Sequence, residues 1–349
     1  MLHNYYFYLV FIIRCPYTIS VLMRYKIKPI LILLFVIITS IPSCTSSKNQ
    51  ENSTEQDITL LINAVRNNLE QQYFAKIKAH FLSEKLRIME REKLFEGVSA
   101  EVAAQMITTM LRKETHDKHF NVISYQIKPE SDQEALQPLP FTGGISRIMI
   151  LKNNIGYLKW DACIAGEEAF KKIRAALDSV ADCKQLIIDI TENPGGDGAS
   201  SAFINQFLYE SKDYQTLLIK KCTGEANWHQ SEVVFDYTEG PTFFHIPIYI
   251  MVSDNTFSAA EYFAFTANEM KRATILGKIT AGAGNPGRFT DQRSPDSSTA
   301  FWMFIPNCQI TTKAGRSIEG VGVQPDILLK SDNWLNQTID YIIKMDRSK

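Results

Sequence analysis

Hydrophobic residues recur at helical spacing in the first third of the chain. Two series show this spacing: Ile58, Leu61, Ile62, Val65 and Leu69, and, after Ser99, Val102, Met106, Ile107, Met110 and Leu111. Intervals of three and four residues bring such side chains to one face of a helix, where they can be buried together. The pattern predicts a small helical region over residues 57–113.

The pattern changes after residue 119, where short apolar runs alternate with helical segments. The predicted strands are 122–127, 156–160, 185–190 and 246–252, and the predicted helices include 166–180 and about 258–271. Strands separated by helices can pair in parallel, because each connection is long enough to cross the sheet. Residues 114–349 are therefore predicted to form an α/β domain with mostly parallel strands, preceded by the helical region.

The N-terminal segment has the features of an export signal. Basic residues precede the apolar run 30–38, which leads into Ile41-Pro42-Ser43-Cys44. That ending resembles the lipobox of bacterial lipoproteins, in which the cysteine is acylated, so we expect residues 1–43 to be a signal peptide and Cys44 to be lipidated. An ordinary signal peptide with a chance cysteine is the alternative. Residues 44–56 are polar and predict a flexible tether to the membrane of a bacterial cell envelope.

Composition narrows the range of functions. The 349 residues are 45% hydrophobic and 21% charged, with a net charge of −1, which indicates a globular protein without the basic surface that nucleic acids require. Four cysteines follow Cys44, which permits disulfides in three full pairings or four free thiols. They form no zinc-binding spacing, so no metal or other cofactor is predicted.

Two loops could carry chemistry, because each follows the carboxyl end of an apolar strand. Ser258 begins a predicted helix, where free N–H groups favour a developing anion and hence a nucleophile. Ser258-Ala259-Ala260-Glu261 also fits a capping box, in which the serine only caps the helix. The pair Gly195-Gly196 could offer N–H groups to an oxyanion, or could simply form a tight turn.

Three further side chains could complete such a site. His116 or His119 could accept the serine proton as a general base, although a single histidine is more often structural. Glu319 lies in a glycine-punctuated stretch between hydrophobic residues and could orient the histidine, as the third member of a catalytic triad does. Taken alone, each of these residues has an equally simple structural explanation.

Taken in order, these segments resemble the C-terminal processing peptidases, or tail-specific proteases, and within them the branch of the tricorn core and the interphotoreceptor retinoid-binding protein. The matching segments are LIIDITENPGG at 186–196, TFSAAE at 256–261, the glycine-rich stretch 277–287 and residues 319–327. The resemblance implies a ClpP/crotonase-like α/β core. The stretch between His119 and the strand at Gly156 is too short for the PDZ domain that many members contain.

The resemblance also implies roles for individual residues. Ser258 would be the nucleophile, and the oxyanion donors would be Ala259 and one of the two glycines, Gly195 or Gly196. Ala283 stands where the serine–lysine members have their basic lysine, so His119 and Glu319 are expected to complete a Ser-His-Glu triad.

Two further residues, Lys118 and Arg288, bear on the predicted site. Lys118 replaces the serine that assists the base in the tricorn pattern, so a fourth member is not supported. Arg288 could pair with the C-terminal carboxylate of a substrate, although a solvated surface arginine is the simpler interpretation.

The predicted activity is that of a lipid-anchored serine peptidase, which cleaves envelope proteins or peptides through an acyl-enzyme on Ser258. Two alternatives stay open. The loss of the basic lysine could instead indicate an inactive lipoprotein of the same fold that binds peptides or apolar ligands. A peptidase could also use Lys278, rather than His119, as its base.

Overall fold

A computed structural model describes residues 46–127, 142–231, 235, 239–295 and 297–347, and for 46–54 it describes the backbone only. The predicted signal peptide and Cys44 lie outside these residues. Seven helices are described: α1 (Ser46–Gln72), α2 (Lys76–Arg91), α3 (Ala100–Thr115), α4 (Glu167–Asp178), α5 (Ala199–Leu208), α6 (Ala259–Glu269) and α7 (Trp334–Asp346).

The first three helices form the helical region that the sequence predicts, with one correction. Helix α1 begins at Ser46, so the predicted tether, residues 44–56, is helical over most of its length. Residues 46–72 contain neither glycine nor proline, and the polar residues of 46–56 therefore continue the helix that the apolar series begins. Helix α3 begins where Ser99 accepts a hydrogen bond from the N–H of Val102.

The core of the protein is a six-stranded sheet. Its strands are β2 (Ile145–Leu151), β3 (Ile155–Trp160), β4 (Gln185–Asp189), β7 (Ile248–Val252), β8 (Ala273–Gly277) and β12 (Ile327–Leu328). They lie in the order β12-β8-β7-β4-β3-β2, and all neighbours pair in parallel except β2, which is antiparallel to β3. The predicted α/β fold with mostly parallel strands is confirmed.

Both faces of this sheet are covered, which explains the uninterrupted apolar runs of its central strands. Leu186 and Ile188 of β4 belong to the core under α4, α5 and α6, whereas Ile187 between them packs in the core that contains Ile342 of α7. Successive side chains of a strand point to opposite faces, so one strand serves both cores. Its carboxyl end is thereby fixed in position beneath the loop that follows.

Two small antiparallel sheets complete the fold. One has the order β1-β10-β9, from β1 (Asn121–Gln126), β9 (Gly287–Arg293) and β10 (Thr299–Pro306). The other has the order β11-β5-β6, from β5 (Leu218–Cys222), β6 (His229–Gln230) and β11 (Cys308–Thr312). A disulfide joins Cys222 and Cys308, while Cys163 and Cys183 are free, so the structure has neither a full pairing of the four cysteines nor four free thiols.

The helical region and the sheet β1-β10-β9 share one hydrophobic core. Phe301, Met303 and Ile305 of β10 are buried against the apolar faces of α1 and α3. The predicted boundary near residue 113 therefore marks a change of secondary structure within a single unit, which extends over 45–349. None of the described helices is long and apolar enough to cross a membrane.

Candidate active site

Two loops meet at the carboxyl edge of the large sheet, as the sequence predicts. The loop after β4 carries Asn193, Gly195 and Gly196, and the loop after β7 carries Ser258. The N–H of Phe257 donates to the carbonyl of Asn193, which ties the second loop to the first. The edge where parallel strands end is the usual place for a ligand in an α/β fold.

Ser258 has an unusual backbone conformation for a residue with a side chain. Its φ is 54° and its ψ is −122°, directly before α6 begins at Ala259. Such conformations cost free energy and persist only where surrounding contacts enforce them. Glu261 supplies one such contact by accepting a hydrogen bond from the N–H of Ser258 at 2.9 Å.

Ser258 and Glu261 form a capping box at the start of α6, in which the N–H of Glu261 makes its hydrogen bond to the carbonyl of Ser258, at 2.9 Å. Oγ of Ser258 lies 3.0 Å from Nε2 of His119, which is hydrogen-bonding distance. The predicted capping box and the contact between the serine hydroxyl and the histidine are therefore both present. That contact has the geometry that nucleophile and base require.

The side chain of Glu261 holds this loop in place through four hydrogen bonds. That side chain is fully buried and accepts hydrogen bonds from Thr280 Oγ1 at 2.6 Å, Gly282 N at 2.6 Å and Ala283 N at 2.9 Å, besides that from Ser258. Burial raises the pKa of Glu261, and these four donors act in the opposite direction. The carboxylate thus holds the glycine-rich segment against the start of α6.

His119 reaches Ser258 from the connection between α3 and β1. The side chain is only 7% exposed, and its ring contacts Phe257 edge-on at 4.8 Å and stacks on Phe304 at 5.5 Å between centroids. The backbone N–H of His119 donates to Oδ1 of Asp117 at 2.9 Å, which fixes the turn that leads into β1. The imidazole is therefore positioned by two aromatic rings and by the hydrogen bond of its own backbone.

Two carboxylates, those of Asp117 and Glu319, lie near the imidazole of His119, whereas the sequence predicted only that of Glu319. Nδ1 of His119 has no hydrogen-bond partner among the described residues, and its nearest carboxylate oxygen there is Oδ1 of Asp117, at 3.6 Å. One donor or acceptor atom each of Asp117, His119 and Glu319 lies within 4.8 Å of the others. Asp117 was not predicted. The only signal was its position two residues before His119, which permits the turn described above.

Asn285 links the two carboxylates. Its backbone N–H donates to Oε2 of Glu319 at 3.1 Å, and its side-chain Nδ2 donates to Oδ2 of Asp117 at 3.0 Å. The N–H of Gly284 donates to the same oxygen of Glu319 at 2.6 Å. Burial, followed by the negative charge of Asp117, raises the pKa of Glu319 to about 7.

The two glycines of the first loop have different roles. The N–H of Gly195 donates to Oδ1 of Asn193 at 2.9 Å, so it is already engaged. Neither Gly196 N nor Ala259 N donates to an acceptor in the described part of the chain. Of the predicted oxyanion donors, these two are the ones available to a substrate.

Other residues considered from the sequence are placed elsewhere. His116 is exposed and ends α3 in a left-handed conformation, and Lys118 donates to the carbonyl of Ala281 at 2.6 Å. The ammonium of Lys278 lies 5.5 Å from the ring centroid of Trp334 in α7. Ala283 is buried, and Arg288 is exposed on β9 with no ion pair among the described side chains.

The group formed by Asp117, His119 and Glu319 could also accept a cation. It offers one imidazole nitrogen and two carboxylate oxygens, which are ligand types that divalent transition metals bind. A cation at Nδ1 would withdraw electron density from the imidazole and weaken Nε2 as a proton acceptor. Binding of a metal here and a role of His119 as base are therefore competing uses of one side chain.

Comparison with known proteins identifies the family. The model of peptidase family S41 matches residues 154–329. The chain belongs to peptidase family S41. The matched range contains Ser258 and Glu319, whereas Asp117 and His119 precede it. Membership in this family confirms the resemblance to C-terminal processing peptidases.

Individual relatives are distant. A carboxy-terminal-processing protease of Bartonella bacilliformis is 26% identical over 189 residues, which are 52% of this chain and 40% of that protein. The alignments thus cover less than half the length of the curated relatives. The crystal structure of a candidate peptidase from Parabacteroides merdae is 17% identical, with a TM-score of 0.55, and the match covers 83% of this chain and 97% of that one.

The tricorn protease also shares the fold of this S41 chain. Its crystal structure gives a TM-score of 0.54 at 13% identity, over 84% of this chain and 37% of the tricorn chain. Each of these two structures therefore shares the fold over more than four fifths of this chain.

Proposed function

We propose that this chain is a serine peptidase in which Ser258 is the nucleophile and His119 the general base. The observation that carries the proposal is the 3.0 Å separation between Ser258 Oγ and His119 Nε2. It is supported by the strained backbone conformation of Ser258, with φ 54° and ψ −122°, because such strain concentrates at functional sites. Family S41 membership supports a peptide bond as the scissile bond.

The proposed reaction uses these residues in turn. His119 Nε2 accepts the proton of Ser258 as Oγ attacks the substrate carbonyl, and the N–H groups of Gly196 and Ala259 stabilise the resulting oxyanion. His119 then donates the proton to the leaving amine, which releases the first product and leaves an acyl-enzyme. Water, deprotonated by the same histidine, hydrolyses this ester. Each oxyanion donor is worth about 3 kcal/mol in such reactions.

The carboxylates of Asp117 and Glu319 act on the base rather than on the substrate. When His119 is protonated, the negative charge of Asp117 stabilises the imidazolium, and Glu319 adds to this effect at pH values above about 7, where it is mostly ionised. Nδ1–H would have Asp117 Oδ1 as its nearest carboxylate acceptor. A separation of 3.6 Å is long for a hydrogen bond, but such contacts often shorten when substrate binds. We therefore assign orientation of the histidine to Asp117 together with Glu319.

We also propose that the protein works in the cell envelope, attached through a lipid on Cys44. The apolar run 30–38 before the Ile-Pro-Ser-Cys sequence supports export. The disulfide between Cys222 and Cys308 supports the same compartment, because disulfides persist under oxidising conditions. Palmitate labelling of cells that express the wild type or Cys44→Ala tests the anchor.

A digest of a defined peptide pool tests the peptidase activity. The purified full-length protein should cleave peptides, and Ser258→Ala and His119→Ala should each reduce the rate by a factor on the order of 1,000 or more. His80→Ala is the matched control, because His80 is an exposed histidine on α2. Tight peptide binding without cleavage by the wild type would favour the binding-lipoprotein alternative instead.

A further inference from the structure

The sheet β1-β10-β9 has one face without a covering layer among the described residues. Its other face is buried against α1 and α3 through Phe301, Met303 and Ile305. Residues that alternate with these three point to the opposite side, and two of them, Trp302 and Phe304, are only half-buried. Aromatic side chains on this open face therefore remain partly exposed after the other face has been buried.

Phe289 of β9 enlarges this aromatic surface. It pairs with Phe304 across the strands, and its ring stacks on Trp302 at 4.5 Å and meets Phe304 at 4.8 Å between centroids. Phe289 is 63% exposed although two aromatic neighbours hold its ring. We call Phe289, Trp302 and Phe304 the aromatic face. Contiguous exposed apolar surface of this kind usually marks a binding site.

The aromatic face is continuous with the proposed catalytic residues. Phe304 stacks on the imidazole of His119 at 5.5 Å, so the ring centroid of Phe289 lies no more than about 10 Å from that of His119. An extended polypeptide advances about 3.3 Å per residue. A peptide whose scissile bond lies at Ser258 could therefore reach Phe289 with a side chain about three residues away.

The outer edge of β9 also offers main-chain hydrogen bonds. The N–H of Ser294 donates to the carbonyl of Thr299, and the N–H of Asn307 donates to the carbonyl of Pro286. In an antiparallel pair, hydrogen-bonded and non-hydrogen-bonded residue pairs alternate, so these two bonds show which residues of β9 bond to β10. The even-numbered residues of β9 therefore bond to β10, while the N–H and C=O of Phe289 and Asp291 point away from it. Strand β9 has no neighbour on that side among the described strands.

We propose that β9 and the aromatic face form a substrate subsite. On the assumption that the chain is a peptidase as proposed above, an extended substrate segment adds to the edge of β9 through the main chain of Phe289 and Asp291. An aromatic or large aliphatic substrate side chain, within about three residues of the scissile bond, packs against Phe289 and Trp302. The aromatic face would therefore select substrates with apolar side chains near the scissile bond, although its residues take no part in the bond cleavage itself.

Peptide substrates with one varied position test the subsite. In a series that places Phe, Leu, Ser or Asp at each of the three positions on either side of the scissile bond, the wild type should prefer Phe and Leu at one or more positions. Phe289→Ser should reduce that preference in kcat/KM by about tenfold, the size of one lost aromatic contact. Phe289→Leu should retain most of it.

Ile77→Ser is the matched control, because Ile77 is 92% exposed on α2, in a different element of the fold. It should leave the preference unchanged. An equal preference in the wild type and Phe289→Ser at every position would overturn the proposal. So would loss of a dimer in Phe289→Ser by sedimentation velocity, because the aromatic face would then serve contact between two copies of the chain.

A binding measurement separates this inference from the proposed activity. In the Ser258→Ala full-length protein, a Phe-containing peptide should change the tryptophan fluorescence, and Trp302→Phe should remove that change. Binding of this kind with no cleavage by the wild type would refute the peptidase but support the subsite. Cleavage by the wild type with no fluorescence change and no preference would refute the subsite alone.

Discussion

Gly195 lies against Ser258 so closely that a side chain at position 195 would displace the proposed nucleophile. A Cβ atom there would be 2.8 Å from Cβ of Ser258 and 2.7 Å from the carbonyl oxygen of Phe257. The φ of Gly195 is 89°, which residues with a side chain rarely adopt. Glycine is thus required at this position by both space and conformation, even though its N–H bonds to Asn193 rather than facing the cleft.

The first prediction concerns this contact. Gly195→Ala should lower kcat by about 100-fold or more, because a shift of the Ser258 loop by a few tenths of an ångström or more disturbs the alignment of Oγ with the carbonyl carbon. Gly198→Ala is the control, since Gly198 has a helical φ of −61° and no atom within 4 Å of an added Cβ. Equal kcat in the two variants would show that Gly195 does not position the serine.

Glu261 should be a positioning residue on which both stability and reactivity depend. Glu261→Gln replaces an acceptor of four hydrogen bonds with an amide that brings two donors to the same cluster. We expect the free energy of unfolding to fall by about 2 to 3 kcal/mol and kcat to fall with it. Denaturant unfolding and peptide cleavage measure the two effects. Glu101→Gln, at an exposed glutamate in the first turn of α3, is the comparison variant.

Glu319 should make stability depend on pH in a defined direction. Its pKa is raised from 4.5 to about 7 by burial and by Asp117, so the folded state holds a proton that the unfolded state has released between these values. The stability contributed by this group is therefore complete below about pH 4.5 and is lost as pH rises through about 7. Between these pH values, the free energy of unfolding of the wild type should fall by on the order of 1 kcal/mol relative to that of Glu319→Gln. This figure allows for the partial exposure of Glu319.

Urea unfolding of the two proteins at pH 4.5, 6 and 8 measures this difference. A difference between wild type and Glu319→Gln that is constant with pH would contradict the raised pKa. A difference that grows with pH in favour of the wild type would reverse its sign and indicate that Glu319 is stabilised as an anion.

The disulfide should contribute to stability independently of catalysis. It connects β5 to β11 and closes a loop over a sequence separation of 86 residues. Replacement of both Cys222 and Cys308 by serine should lower the free energy of unfolding by about 2 to 4 kcal/mol. Thiol labelling of the unfolded wild type without reductant should find Cys163 and Cys183 reactive and the other pair protected. Cys183→Ser provides the comparison variant.

Three strands of the large sheet, β3, β4 and β7, and the loops after β4 and β7 could be predicted because their signals are local, whereas β2, β8 and β12 were not predicted. The run 186–190 is apolar at every position except Asp189, and it ends in a glycine turn, which identifies a buried strand and the loop after it. Ser258 could be placed at a helix start for the same reason. Whether that serine is only a cap or also a nucleophile could not be decided locally, because it depends on His119, which is 139 positions earlier in the chain.

The parts that could not be predicted depend on contacts between distant segments. The position of Asp117 behind His119 follows from the turn after α3 and from Asn285, which is 168 residues away. The aromatic face requires the register between β9 and β10, and neither strand has an alternating pattern that identifies it in the sequence. The difference between Gly195 and Gly196 depends on the side chain of Asn193, which accepts from only one of them.

Labelling with a fluorophosphonate tests the central claim most directly, because this reagent reacts with a serine only when a base activates it. The purified full-length protein, Ser258→Ala, His119→Ala and His80→Ala are each treated, and the adduct is located by intact mass and peptide mapping. We predict one adduct on Ser258 in the wild type and in His80→Ala, and none at that position in the other two. Labelling of Ser258 that persists in His119→Ala would contradict the assignment of the base, and no adduct in the wild type would contradict the account of Ser258 as an activated nucleophile.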